Sequence, residues 1–343
     1  MIKLDVISGF LGVGKTTFAN LLLRYYMDPA SRMADGSPYR PVYIVNEFGQ
    51  TGLDADIIKA DGFEAIEMPG GCICCTLKTD VGVAIVNVMD AYSPTHIVFE
   101  PSGIFVFDNF FDVLRQDNIK NRCEVGDVFT IVDSVNFSFS KLSHTYGSFI
   151  YNQIKNAPIL ILSKLEKTKH NVEELICDIK NINPDALVMS KIWANWDKAD
   201  FERMLNHPKV FSYTDHDSEE TLEYTQGRHD EHEHDHDHDH DHDHHDEHHH
   251  HDHHHDDLFS VTIIPEEHFT QERIDSLIAN CKSGVFGDLY RIKGIILKDD
   301  QHLLLNIAME DVDLTEFNSI QKPTLTFIGK TVNEEEILKF FKK

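Results

Sequence analysis

Short apolar runs alternate with amphipathic stretches over the first two hundred residues. Apolar runs of strand length lie at residues 2–7, 41–45, 63–68, 96–99, 125–132, 159–162 and 186–189. Between them, apolar residues recur at helical spacing at residues 17–26, 80–92 and 172–181. This alternation predicts an α/β fold, with a mostly parallel sheet and helices on both faces.

The pattern decays after Trp196 and resumes at Phe259. The later part predicts strands at residues 259–264, 289–297, 303–309 and 324–328, and helices at residues 271–280 and 334–341. These elements indicate a small C-terminal α+β domain. We therefore expect an α/β domain over residues 1–212, a linker over residues 213–257 and the small domain over residues 258–343.

The linker region is polar and charged, and it ends in alternating His and Asp. Such a tract cannot bury enough apolar surface to offset the entropy of ordering it, so it should be disordered without a ligand. Residues 215–257 contain 18 Asp and Glu and one Arg, which gives −17 of the formal net charge of −27. The folded remainder therefore carries only −10.

The composition excludes some classes of partner. Phosphate contacts with nucleic acid need patches of Lys and Arg, which this acidic chain lacks. No apolar run approaches the roughly 18 residues of a membrane span, and the first motif leaves no room for a signal peptide after Met1. We expect a cytoplasmic protein that binds neither nucleic acid nor membrane.

A glycine-rich motif follows the first predicted strand. Residues 9–17, Gly-Phe-Leu-Gly-Val-Gly-Lys-Thr-Thr, match GxxxxGK[ST] with a strand before and a helix after. In such a loop the backbone N–H groups face phosphates, Lys15 reaches the β and γ phosphates, and the Thr16 hydroxyl ligates Mg²⁺. The expected nucleotide-binding residues of this loop are Gly9, Gly12, Val13, Gly14, Lys15, Thr16 and Thr17.

Two further motifs end predicted strands at the same sheet edge, where ligands collect in open α/β folds. Glu100-Pro-Ser-Gly103 follows residues 96–99, which suits a carboxylate near Mg²⁺ and a glycine amide that senses the γ phosphate. We assign Glu100 to the catalytic set and Gly103 to the nucleotide. Asn46-Glu-Phe-Gly49 follows residues 41–45, and it makes Glu47 a candidate metal ligand or switch residue.

Three of the six cysteines, Cys72, Cys74 and Cys75, lie within four positions behind two glycines. This spacing is too tight for a disulfide framework but suits a metal. Three thiolates favour Zn²⁺ or Cu⁺, and they leave a fourth position open, as in a site built for exchange. The fourth donor could be Glu47 or a histidine of the tract.

Sixteen of the 23 histidines lie between residues 229 and 255. Imidazoles interleaved with carboxylates bind Zn²⁺, Ni²⁺, Co²⁺ or Cu²⁺ at loosely defined, exchanging sites. An inert solvated charge run is the alternative. The strictly alternating part supplies five of these expected loose sites: His234, His236, His238, His240 and His242.

Taken together, the motifs GFLGVGKTT, NEFG, GGCICC and EPSG resemble the CobW-type GTPases, relatives of the GTPases that insert nickel into hydrogenase and urease. The resemblance covers residues 1–196, and the stretch 289–294 (LYRIKG) resembles a strand of that family's C-terminal domain. It implies a GTPase in which Cys72, Cys74 and Cys75 bind a metal beside the nucleotide switch.

The base-recognition motif departs from the family pattern. Where the family usually has NKxD, this chain has Ser-Lys-Leu-Glu at residues 163–166. The resemblance assigns Lys164 to packing over the base and Glu166 to the position of the guanine-binding Asp, one methylene longer. GTP is the expected substrate, and strict preference over ATP stays open.

These observations favour a metal-binding GTPase. It would couple GTP hydrolysis to loading or delivering a metal, zinc first and cobalt or nickel next, to an unidentified apo-protein client. No arginine finger is apparent, so a metal, homodimer formation or the client are candidate accelerators. The alternatives are a metal store with a vestigial nucleotide site and a small-molecule kinase.

Overall fold

A computed structural model describes residues 1–46, 53–68, 77–104, 107–139, 147–208, 210–214, 221–225, 259–265, 267–308, 311–317 and 322–342. Within these residues the chain forms one large and two smaller sheets. Predicted site residues that lie outside the described residues are Glu47, Cys72, Cys74, Cys75, His234, His236, His238, His240 and His242.

The large sheet consists of seven parallel strands in the order β3-β2-β4-β1-β5-β6-β7. The strands are β1 (Ile2–Gly9), β2 (Pro41–Val45), β3 (Ala65–Glu67), β4 (His96–Glu100), β5 (Cys123–Asp133), β6 (Ile159–Ser163) and β7 (Leu187–Met189). The predicted α/β fold is confirmed, with strand ends displaced by a few residues. Continuous apolar runs form these strands because both sheet faces are buried.

Helices cover both faces of this sheet. They are α1 (Lys15–Met27), α2 (Leu53–Ala60), α3 (Leu77–Tyr92), α4 (Phe107–Leu114), α5 (Gly147–Asn156), α6 (Val172–Ile182) and α7 (Lys198–Leu205). The apolar core under α3, α4, α5 and α6 contains Ile85, Phe110, Ile154 and Ile179. The second core contains Phe18 of α1, Ile58 of α2 and Met204 of α7.

Structure continues beyond the point where the sequence pattern decays. Asp197 caps α7 through a capping box with Asp200, which is a short-range signal that the apolar periodicity missed. Strands β8 (Val210–Thr214) and β9 (Thr221–Thr225) then pair as an antiparallel hairpin. The expected linker therefore includes strand residues, namely residues 213–214 of β8 and all of β9, where β-branched and aromatic residues favour strand pairing.

The C-terminal domain is a five-stranded antiparallel sheet with two helices, as the α+β prediction requires. Its elements are β10 (Phe259–Ile263), α8 (Gln271–Lys282), β11 (Leu289–Lys298), β12 (Gln301–Ala308), β13 (Asp311–Glu316), β14 (Thr324–Gly329) and α9 (Glu334–Phe341), with strand order β10-β14-β11-β12-β13. The predicted strands did not include β13, in which only Val312 and Leu314 are apolar. Ile292, Leu305 and Phe327 pack with α8 and α9 in one core.

The two domains are in contact at the carboxyl edge of the large sheet. The rings of Phe10 and Tyr290 are 6.1 Å apart between centroids. A Cβ added at Gly12 would lie 2.2 Å from the Cβ of Ala308, so the small domain packs directly against the loop after β1. In the described part of the chain, no helix has the length and apolarity to cross a membrane.

Candidate functional site

The loop after β1 has the geometry of an anion cradle. It runs from the end of β1 to Lys15, the first residue of α1. Gly14 precedes the helix with φ of 102° and Gly12 has φ of 72°, left-handed conformations that favour glycine. No side chain caps the N-terminus of α1, so its first N–H groups and positive dipole end face the loop. These are the features that bind a phosphate group.

The loop's lysine and threonine are held in place by neighbours. Lys15 is 6% exposed, and its ammonium donates to the carbonyl oxygen of Phe10 at 3.1 Å. The Thr16 hydroxyl donates to Glu100 Oε1 at 3.1 Å. The structure therefore brings together the two residues that the sequence assigned to the Mg²⁺ shell.

Tyr43 fixes the other oxygen of Glu100. Its hydroxyl, on the middle residue of β2, donates to Glu100 Oε2 at 2.5 Å, and both side chains are buried. Nothing in the sequence distinguishes this tyrosine from an ordinary residue of a buried strand. The carboxylate at the end of β4 is thus oriented between Thr16 and Tyr43.

Gly103 lies against the loop between β1 and α1, residues 10–14, which is named the phosphate loop below. A Cβ added at this glycine would lie 2.7 Å from the backbone nitrogen of Leu11. Its carbonyl oxygen accepts from Gln153 Nε2 at 3.1 Å. Gly103 therefore sits beside the loop where a γ-phosphate-sensing amide was expected, and α5 supports its backbone.

Residues 164–166, which are named the base-recognition segment after their expected role, follow β6. Lys164 adopts a left-handed backbone conformation with φ of 55°. Its ammonium lies 2.7 Å from Asp133 Oδ2 and 2.5 Å from Asp311 Oδ2. Burial lowers the pKa of this lysine, but the two carboxylates outweigh burial and raise the pKa above its ordinary value. Glu166, two residues further on, is exposed.

A cavity of about 940 Å³ joins these parts. It reaches from the phosphate loop to the base-recognition segment, and its volume is at the upper end of the range for small-molecule sites. Its charged lining residues are Lys15, Arg24, Lys164, Lys167, Arg291 and Lys293 against Glu100, Glu166 and Asp313. Six basic against three acidic groups make the lining positive within an acidic chain, as an anionic ligand requires.

Some of these lining residues were missed by the sequence analysis. Trp193 belongs to a short 3₁₀ turn after β7, and its ring would lie 3.3 Å from a Cβ added at Gly14. Arg291 and Lys293 belong to β11 of the C-terminal domain. The signal for the latter pair was present, since two cations at alternate positions of an otherwise apolar strand indicate a polar face.

The predicted metal ligands lie outside the described residues, but their flanks are defined. Asn46 precedes Glu47 and donates its N–H to the carbonyl oxygen of Glu100 at 2.8 Å. Met68 ends the segment before the cysteines, and its N–H donates to the carbonyl oxygen of Val45 at 2.9 Å. Among the described residues, no group of three or more His, Cys, Asp or Glu could hold a metal.

The chain matches two protein-family models. Residues 3–190 match the model "CobW/HypB/UreG, nucleotide-binding domain". Residues 259–343 match "Cobalamin synthesis protein cobW C-terminal domain". The two matches correspond to the two domains that contain the large parallel sheet and the five-stranded sheet.

Curated relatives are similar over part of their length. The "Zinc chaperone CobW" of a Sinorhizobium species is 36% identical over 39% of this chain and 37% of its own. The "Zinc chaperone YeiR" of Escherichia coli is 27% identical over 51% of this chain and 50% of its own. The "Zinc-regulated GTPase metalloprotein activator 1" of Dictyostelium discoideum is 22% identical over 60% and 51%. The chain thus spans about half or less of the length of these relatives.

Proposed function

This chain belongs to the family of CobW, HypB and UreG nucleotide-binding proteins, and from that premise we propose that it is a GTPase that loads or delivers a transition metal. Zinc is the first candidate, and cobalt or nickel come next. The recipient is an apo-metalloprotein client. The names of the relatives, zinc chaperones and a zinc-regulated GTPase, support this assignment.

One observation carries the coupling between nucleotide and metal. The segment with Glu47 follows β2, which pairs with β4, and the segment with the cysteines follows β3, which pairs with β2 on its other side. Glu100 is the last residue of β4. Main-chain hydrogen bonds tie their flanks, Asn46 and Met68, to this edge of the sheet. A shift of Glu100 when nucleotide binds therefore has a short, hydrogen-bonded route to the proposed metal ligands.

The hydrolytic step follows from the residues at the phosphate loop. Lys15 binds the β and γ oxygens and neutralises charge, and Gly103 contacts the γ phosphate through its amide. Thr16 and Glu100 fit Mg²⁺, because a hydroxyl and a carboxylate oxygen 3.1 Å apart are the ligands that this ion prefers. When bound, Mg²⁺ offsets charge on the phosphate oxygens during in-line attack by water.

GTP is the proposed nucleotide. Lys164 lies at the end of β6, where its stem can pack over a base, and Glu166 lines the same cavity as an acceptor for guanine N–H groups. Guanine offers two such donors on one edge, whereas adenine offers none in that arrangement. The proposed metal ligands are Cys72, Cys74 and Cys75, with Glu47 or a histidine of the tract as the fourth. The histidine tract is proposed to bind further ions.

The decisive experiment measures zinc affinity in two nucleotide states. Residues 226–258 are deleted, so that the tract is removed while β9 and β10 remain. Zinc is then titrated by chelator competition with GDP or with a non-hydrolysable GTP analogue. We expect a difference of roughly 5- to 150-fold, the usual range of coupling between two sites.

Two variants serve as matched controls. Lys15→Ala should still bind zinc but lose the nucleotide dependence, and Cys72, Cys74 and Cys75 changed together to Ser should bind nucleotide but lose the zinc site. Equal zinc affinity in both nucleotide states, together with hydrolysis that Lys15→Ala leaves unchanged, would instead support the metal-store alternative. Phosphoryl transfer to a small molecule would support the kinase.

A further inference from the structure

The face of the C-terminal sheet that meets the phosphate loop is polar, while its opposite face is apolar. Lys293 of β11 pairs with Asn306 of β12, which pairs with Asp313 of β13. Next to this row, Arg291 pairs with Ala308, which pairs with Asp311. Paired residues share a sheet face, so these two rows lie together, opposite the apolar side chains that pack on α8 and α9.

Contacts of this polar face show which end of each row lies near the base-recognition segment and which end lies away from it. Asp311, at one end of its row, pairs with Lys164 of the base-recognition segment. Ala308, in the middle, packs on Gly12 of the phosphate loop. Arg291, at the other end, therefore lies one strand spacing, about 4.8 Å, farther from the base segment than Ala308 does.

The row from Asp311 to Arg291 follows the order of the strands in the large sheet. From β6, which ends just before Lys164, the large sheet runs through β5 to β1 and its phosphate loop, and then to β4 with Glu100. Continuing from the base segment past Gly12 leads toward the Thr16 and Glu100 pair. Arg291 and Lys293 both line the cavity that these residues share.

From this placement we propose that Arg291 and Lys293 bind the phosphates of the nucleotide, so that the C-terminal domain is part of the nucleotide site. The inference rests on the proposed nucleotide-binding function and deepens it. Arg291 is oriented by Asn306, whose Oδ1 accepts from Arg291 Nε at 3.0 Å. Lys293 is only 4% exposed, so its charge acts in surroundings that water screens little.

In this arrangement the C-terminal domain supplies cations to the nucleotide phosphates from within the chain. Charge that develops on the γ phosphate during hydrolysis is stabilised by positioned cations, and a guanidinium serves this purpose in other phosphoryl-transfer enzymes. Here β11 brings the two cations to the site whenever the C-terminal sheet is docked. Docking of the small domain would then complete the phosphate site.

The test compares nucleotide affinities of charge-removing variants on one strand. Arg291→Gln and Lys293→Met are titrated with fluorescent GTP and GDP analogues and with guanosine in competition. Loss of a charge-assisted hydrogen bond should weaken GTP binding by roughly 10- to 100-fold, GDP binding less, and guanosine binding little. Lys298→Met is the matched control, because this lysine is on the same strand but bonds Gln271 of α8.

A conservative substitution separates the charge of the side chain from its packing. Arg291→Lys should recover part of the affinity that Arg291→Gln loses. The inference is wrong if the two variants bind GTP as Lys298→Met does, or if guanosine binding weakens as much as GTP binding. If the unaltered chain binds no GTP, the proposed function itself fails.

Discussion

Asp311 of the C-terminal domain lies 2.5 Å from the ammonium of Lys164, the lysine that the sequence assigns to the nucleotide base. Asp133, at the end of β5, holds the same ammonium at 2.7 Å. The lysine assigned to the nucleotide base thus also contacts the small domain. Any change in this lysine should affect both contacts.

The first prediction concerns the strength of this contact. Asp311→Ala should lower the free energy of opening of the β12–β13 hairpin by about 1.5 to 3 kcal/mol, the usual cost of losing a hydrogen bond to a charged group. The side chains of Lys164 and Asp311 are only 13% and 20% exposed, so water replaces the contact poorly. Hydrogen exchange of residues 301–316 measures the change.

The neighbouring pair provides the control for this prediction. Asp313 contacts Lys167 at 3.3 Å, but both side chains are about half exposed. Asp313→Ala should therefore change the same free energy by less than about 1 kcal/mol. Equal losses in the two variants would contradict the expectation that the buried Lys164 contact contributes more than the exposed Lys167 contact.

The second prediction gives the pH dependence of the Lys164 contact. The pKa of this lysine is raised in the folded protein, so its ion pairs stabilise the fold fully below its ordinary pKa of 10.5. The stabilisation is lost only as pH rises through the raised value. The effect of Asp311→Ala should therefore be constant from pH 7 to pH 10 and shrink above that, which hydrogen exchange corrected for intrinsic rates can follow.

Much of this arrangement could be predicted from the sequence. The strands of the large sheet follow continuous apolar runs, and the phosphate loop, Glu100 and Gly103 follow from motifs whose spacing carries the chemistry. The contact of Asp311 with Lys164 could not be predicted, because 147 residues separate the partners. Strand β13 contains only two apolar residues, Val312 and Leu314, which is a weak signal beside the longer apolar runs of β11 and β12.

Tyr43 shows the same limit at shorter range. Its position in β2 is set by the apolar run around it, yet its hydroxyl has a specific role at Glu100. A tyrosine in a buried strand usually needs a hydrogen-bond partner, but the sequence does not say which partner that is. Register between neighbouring strands decides it, and register is a property of the folded sheet.

The third prediction concerns Tyr43 as a positioning residue. Tyr43→Phe removes the hydrogen bond to Glu100 Oε2 and keeps the ring. We expect a raised Mg²⁺ concentration for half-maximal GTP hydrolysis, by roughly 3- to 10-fold for a hydrogen bond of about 1 kcal/mol, with a smaller change at saturating Mg²⁺.

Glu100→Gln is the reference for that experiment. Because this change alters the group proposed to face Mg²⁺, it should lower hydrolysis even at saturating Mg²⁺, by at least about 100-fold if it acts like loss of a preorganised electrostatic contact. If Tyr43→Phe lowers the rate at saturating Mg²⁺ as strongly as Glu100→Gln does, the tyrosine acts on more than the carboxylate's orientation.

The fourth prediction uses the two tryptophans of the chain. Trp193 lines the cavity and lies beside Gly14, and its indole Nε1 is buried without a hydrogen-bond partner among the described residues. A nucleotide bound on the phosphate loop should change the fluorescence emission of Trp193.

Trp196 provides the control, because it donates its indole N–H to the carbonyl oxygen of Lys191. The GDP-dependent change in fluorescence should therefore disappear in Trp193→Phe and persist in Trp196→Phe. The reverse pattern would contradict the placement of the nucleotide beside Trp193.

The last prediction concerns thiol reactivity. Cys123 is 3% exposed, and burial, reinforced by the nearby carboxylates of Asp5 and Glu124, raises its thiol pKa to about 12. Thiolate is the reactive form, so Cys123 should be nearly inert toward an aromatic disulfide reagent at pH 8. Burial also raises the pKa of Cys281, whereas Cys177 is exposed. We therefore expect Cys177 and the three clustered cysteines to react fast in zinc-free native protein.

Zinc should then protect a defined subset of those thiols. If Cys72, Cys74 and Cys75 hold the ion, one equivalent of zinc should remove three thiols from the fast phase and leave Cys177 reactive, because metal-bound thiolates are poor nucleophiles toward the reagent. The experiment needs the chain without residues 226–258, since the histidine tract would otherwise take up the first equivalents of zinc. Cys177→Ser should shorten the fast phase by one thiol in both conditions and so calibrates the count. Protection that needs several equivalents of zinc, or that includes Cys177, would mean that the ion is held elsewhere, and the proposed coupling of nucleotide and metal at one sheet edge would lose its metal partner.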